Sequence, residues 1–196
     1  MTRSRETLSP ALRHQLGVAA HEAGHAVVAA VFGAQITRAA VLRGGPRTNP
    51  GGVAGACRYG EFDVLTDLSW PLIAAAGSVA EGIWHHGRGV TGRQIDALLD
   101  VNIRDRAELR NHAAATGEAV RPRSDVLPLI QRTWPSIARL GAQLYRDGTI
   151  GNTDVLAALG VTDGGGVTSS QLAQIRSGQR PVPPFTPAPA RRRVPA

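Results

Sequence analysis

Residues 9–33 read SPALRHQLGVAAHEAGHAVVAAVFG, and this stretch decides most of what the chain can be. Ser9 and Pro10 form a helix-start signal, serine as N-cap and proline at the first helical position. Leu12, Leu16, Ala20, Ala23, Val27 and Val31 then recur at helical spacing, and Gly33 is a natural stop. Inside this helix His21-Glu22-Ala23-Gly24-His25 matches the pattern H-E-x-x-H. Residues four apart on a helix differ by about 40° in azimuth and lie about 6 Å apart along the axis. Both imidazoles can therefore reach one zinc ion at about 2.0–2.1 Å. Glu22 sits one step round the helix, beside that ion, where it can serve as the base for an attacking water. Ala23 and Gly24 are small, so this face of the helix is open to close packing.

Outward from the helix, Ile36 to Leu42 carries β-branched residues and is followed by Gly44-Gly45-Pro46, so it reads as a strand. Gly52 to Tyr59 reads as a second short strand. Ser69-Trp70-Pro71 opens a second helix that ends at His85-His86-Gly87. A third helix is expected from near Gly92 to about Ala115, and Pro128 and Pro135 complicate a fourth helical region from Asp125 to Tyr145. Asn152 to Leu159 reads as a last short helix. The expected class is mainly α with a small β-sheet, an α+β fold.

The 196 residues carry 22 basic side chains against 15 acidic ones, a net charge of +7, and every basic residue is arginine. Arginine favours phosphate and carboxylate forks, so a nucleic-acid role has to be weighed. The charge is concentrated at the ends. Residues 1–14 hold Arg3, Arg5 and Arg13 against Glu6, and residues 161–196 hold five arginines against Asp163, which leaves about +1 for the rest. Aromatic residues are only 4% of the chain and are not interleaved with arginine, which disfavours nucleic-acid stacking. Gly164-Gly165-Gly166 reads as a linker, Gln171 to Ser177 as one or two helical turns, and Pro181 to Pro189 as extended chain before Arg191-Arg192-Arg193. The expected organisation is a basic arm at 1–9, a folded domain at 10–160 and a flexible Gly/Pro/Arg-rich tail at 161–196. No signal peptide or membrane span is visible, and the single cysteine, Cys57, fits a reducing cytosol. Cys57 reads as a small apolar filler. His85 and His86 are adjacent on a helix or turn and point apart, so they read as surface groups.

His21 to Val28, His-Glu-Ala-Gly-His-Ala-Val-Val, resembles the zinc-site helix of the FtsH-type peptidase domain, the protease half of ATP-dependent AAA+ zinc proteases. Ala76-Gly77-Ser78-Val79-Ala80-Glu81 is similar to that family's second helix, which ends in Ala-Glu. Thr91-Gly92-Arg93-Gln94-Ile95-Asp96 resembles its Thr-Gly-x-x-x-Asp, whose aspartate is the third zinc ligand. Leu144 to Ile150 with Val155-Leu156 resembles its C-terminal helix-turn-helix, so the likeness covers about residues 15–160. The resemblance implies His21, His25 and Asp96 as zinc ligands and Glu22 as catalytic base. Asp100, one turn later, and Glu81 are the competing third ligands. The chain departs from the family in having no P-loop, which a sequence without lysine cannot form, and no membrane segment.

The expected activity is thus hydrolysis of peptide bonds in unfolded or extended polypeptides by a cytoplasmic zinc metalloendopeptidase without its own ATPase. A separate ATPase or adaptor and assembly into a homo-oligomer are the partners this implies. Gly51 to Cys57 carries no large side chain, and it reads either as an edge strand that receives substrate or as an ordinary hairpin. Two rival readings stand beside this one. One is a regulatory H-E-x-x-H protease that cleaves a repressor, and the other is a non-catalytic binding protein on the same fold.

Overall fold

A computed structural model describes residues 8–43, 53–61 and 63–186. Residues 1–7 of the expected basic arm at 1–9, residues 44–52 and the arginine run at 191–193 lie outside the described residues. Among the described residues, seven helices and three strands run in the order α1 (Pro10–Val31), β1 (Ile36–Arg43), β2 (Val53–Tyr59), α2 (Val64–His86), α3 (Gly92–Val101), α4 (Ile103–Thr116), α5 (Leu127–Asp147), β3 (Thr149–Ile150), α6 (Asn152–Leu159) and α7 (Ser170–Ser177). A short π-helical turn, Pro122–Val126, leads into α5. The fold is mainly helical with one small antiparallel sheet, the α+β class expected.

Helix α1 begins as its sequence dictates, with the Ser9 hydroxyl accepting from the Leu12 amide at 3.3 Å. It is not the one-sided helix its apolar spacing suggests. Every residue from Ala19 to Val31 is buried, so α1 is the central element, covered all round. Its small residues make this possible. A β-carbon on Gly24 would lie 2.6 Å from Ala80 Cβ and 2.8 Å from the Ala76 carbonyl oxygen, so α2 crosses α1 almost backbone to backbone. Helix α5 packs on another side, with Gly141 next to Ala19 and Ala20.

The sheet covers a third side. Its strand order is β2-β1-β3, with Ala39 opposite Cys57 on one flank and Ile150 on the other. Among the described residues strand β2 is therefore an edge, and it runs beside the His21–His25 segment of α1.

Three elements depart from expectation. Helix α2 starts at Val64, not Ser69, because Asp63 caps it by accepting from the Thr66 amide at 2.9 Å, and Pro71 lies inside it. The long third helix is two helices, broken at Asn102, whose φ of −89° and ψ of 68° are not helical. The expected flexible tail is folded as far as residue 186. Leu172 and Ile175 of α7 are each 1% exposed, a burial that contributes about 1.5–3 kcal/mol per side chain. Arg176 closes the end of α1 by donating to the Val31 carbonyl at 3.1 Å. The Gly164–Gly166 run is a tight turn rather than a tether, with positive φ at all three positions and Leu156 packed against Gly165.

Candidate metal centre

Helix α1 carries His21, Glu22 and His25, all buried, with residual exposures of 8%, 6% and 7%. Burying three ionisable groups together is costly unless each has a partner. The two imidazoles are anchored through their δ nitrogens. His25 Nδ1 donates to the Ile73 carbonyl of α2 at 2.7 Å, and His21 Nδ1 donates to Glu81 Oε2 at 3.1 Å. Both partners accept only, so each neutral ring turns the bare lone pair of its Nε2 inward. The two Nε2 atoms are 3.0 Å apart.

The third group that meets them is Asp105, in the first turn of α4. Its Oδ2 lies 3.2 Å from His21 Nε2 and 3.4 Å from His25 Nε2. That oxygen is buried and has no hydrogen-bond partner among the described residues. Three acceptor atoms thus converge on one point, an arrangement that repels itself unless a cation or proton fills it. A tetrahedral centre with ligands at about 2.0–2.1 Å needs donor atoms roughly 3.3 Å apart, close to the separations seen here. The donor set and its spacing therefore fit a zinc-type ion held by His21, His25 and Asp105.

Neither aspartate expected from the sequence is in this cluster. Asp96 is exposed on α3, because the buried face of that helix is Ile95 and Leu99 and the next residue points about 100° away. Asp100 lies on the same exposed face and pairs with Arg106. The Thr91–Asp96 motif has a local role instead. Thr91 Oγ1 accepts from the Gln94 amide at 3.3 Å and Gln94 Oε1 accepts from the Thr91 amide at 2.8 Å, a capping box that starts α3. Glu81 touches Nδ1 of His21, on the side away from the converging atoms, so it orients the ring rather than joining the ligand set. The one sequence signal for Asp105 was Asn102, a helix-start residue inside an otherwise continuous helical pattern, with an aspartate three positions on.

Two glycines clear the centre. Gly77 of α2 faces both Nε2 atoms, and Gly55 of β2 faces the Glu22 carboxylate. A β-carbon at either place would overlap its neighbour. The site opens into a cleft of about 680 Å³ lined by Ala54 to Cys57 of β2, Trp70, Val101 and Ile103 among others. The charges inside are strongly coupled. Burial opposes a charge on His21, yet the Asp105 and Glu81 carboxylates on either side of its ring outweigh it and raise its pKa to about 10 in the metal-free protein. Burial likewise opposes ionisation of Asp105, but His25 and His21 hold its carboxyl well below the usual range. Glu22 moves the other way. Burial raises its pKa, and the two imidazoles only partly pull it back. Cys57 lines the cleft, and burial pushes its thiol up to about 12, which agrees with a filler rather than a nucleophile.

Set against known proteins, the chain matches no family, no curated protein and no solved structure. No described helix is long and apolar enough to cross a membrane.

Proposed function

We propose that this chain is a metal-dependent peptidase in which His21, His25 and Asp105 hold zinc and Glu22 is the catalytic base. The observation that carries the reading is the convergence of three inward-facing acceptor atoms next to a buried carboxylate that joins none of them. A zinc ion bound there would supply Lewis-acid polarisation of a scissile carbonyl and a water made acidic enough to attack near neutral pH. Glu22 takes up the proton of the attacking water and returns it to the leaving amine, work suited to a carboxyl whose pKa is already raised. Its neighbour on β2 is Gly55, so the carboxylate meets backbone rather than a side chain at the strand edge.

The substrate is an extended segment of polypeptide. Among the described residues, strand β2 has a sheet partner only on its β1 side, and its Ala54, Gly55 and Ala56 border the cleft. A peptide laid along that edge binds through backbone hydrogen bonds, and small side chains beneath it set few sequence demands. The likeness of His21–Val28 and of Ala76–Glu81 to the FtsH-type peptidase supports this reading, and that of Thr91–Asp96 does not.

The deciding experiment measures metal content by mass spectrometry and cleavage of an unfolded protein by wild type and Glu22→Gln. The reading expects one zinc per chain in both proteins and cleavage by wild type alone. Equal cleavage rates in the two, or a wild type that holds no metal, would end it.

A further inference from the structure

Helix α4 brings in Asp105, yet none of its fourteen residues is fully buried. Only Leu109 leans on the core as a partly buried apolar group. A ligand-bearing helix with so little burial needs other ties to hold a carboxylate to within half an ångström or so. The described ties are polar. Trp70 Nε1 donates to Glu108 Oε2 at 3.0 Å near the middle of α4. At its start, the amide of Asn102 donates to Ser78 Oγ at 3.2 Å and to Glu81 Oε2 at 3.3 Å. Glu81 Oε2 is the atom that also accepts from His21 Nδ1. Because an ionised carboxylate only accepts, the nitrogen end of the Asn102 amide must be the one that faces it.

We propose that Asn102 is a positioning residue for the metal site. One amide fixes the Glu81 carboxylate that orients His21, and it also fixes the break between α3 and α4 that sets Asp105 over the two histidines. Asn102 is the N-cap residue of α4 by position, but its side chain makes no capping hydrogen bond. Its side chain turns to α2 instead, away from the ordinary use of asparagine at a helix start. The Asn102–Glu81–His21 chain and the three-residue step from Asn102 to Asp105 therefore couple two of the three ligands through one side chain.

This inference rests on the metal reading above, and cobalt(II) chloride added to the metal-free full-length protein tests the two separately. Cobalt affinity and visible absorption are measured for wild type, Asn102→Ala and Asn102→Asp. The aspartate variant keeps size and helix-capping ability but replaces the donor with an acceptor facing Glu81. Both variants are expected to bind cobalt about 10- to 100-fold more weakly, with an altered absorption band. Ser78→Ala, which removes one of the two amide acceptors, carries the test if either variant fails to fold, with a weakening of several-fold expected. Wild type that binds no cobalt overturns the metal reading and this inference together. Wild type that binds, with Asn102→Asp or Ser78→Ala unchanged in affinity and spectrum, overturns the role of Asn102 alone.

Discussion

Gly77 lies against His25 with no room for a β-carbon between them, and the same position overlaps His21 Nε2. The rings cannot easily move aside, since Glu81 and the Ile73 carbonyl tether their δ nitrogens. Gly77→Ala should therefore push both ε nitrogens off the point where they converge. The expected result is a metal affinity lower by at least about 10- to 100-fold, read by titration with a competing chelator. Wild-type affinity in Gly77→Ala would show that the imidazoles are not held as described.

Glu22→Gln separates metal binding from catalysis. Glu22 is buried beside the cluster but is not one of its three converging groups. Glutamine keeps the shape and loses the base, so metal content should be unchanged while cleavage falls by about 10²- to 10⁴-fold. A variant that loses its metal as well would make Glu22 a structural part of the cluster.

Much of this was legible in the sequence, and the limit is physical. The α1 start, the H-E-x-x-H face, β1, β2 and α6 follow from local signals: a cap, a helical spacing, β-branched runs between breakers. The two histidine ligands were readable because α1 presents them four residues apart on one face. The third converging ligand was not, because it depends on one backbone break. In one unbroken helix, periodicity alone would aim Asp105, ten positions on and so about 80° away from the buried Ile95. The dihedral angles of Asn102 are set by contacts to Ser78 and Glu81, more than twenty residues away. The all-round burial of α1 was hidden for a related reason. Alanine and glycine signal little hydrophobicity, and their value lies in how near they let α2 and α5 come.

Gly24→Ala tests that close approach. Alanine is the better helix former by about 1 kcal/mol, which alone would stabilise α1. Against this, the new carbon would stand 2.8 Å from the Ala76 carbonyl oxygen, a backbone atom that cannot swing away. Overpacking of this kind costs about 1–3 kcal/mol and should win. The variant is expected to melt several degrees below wild type when both are metal-free. An unchanged or higher melting temperature would mean that the α1–α2 crossing is looser than described.

The metal-free protein should lose stability as the solution becomes alkaline, and His21 fixes the direction. Its pKa is raised from 6.5 to about 10 in the folded chain, so the folded state holds this proton more tightly than the unfolded state does. The stabilisation is complete below about pH 6.5 and fades as pH rises through about 10. Between pH 7 and 8.5 the slope is on the order of 1 kcal/mol per pH unit, before cysteine and tyrosine ionise in the unfolded chain. Urea unfolding of chelator-treated wild type and His21→Gln at these two pH values provides the measurement. Wild type should weaken across the interval, and the variant, which has no such proton to lose, should change far less. Parallel behaviour of the two proteins would mean that the proton is not held at His21. Zinc must displace that same proton to bind, so saturation with zinc should remove the slope in wild type.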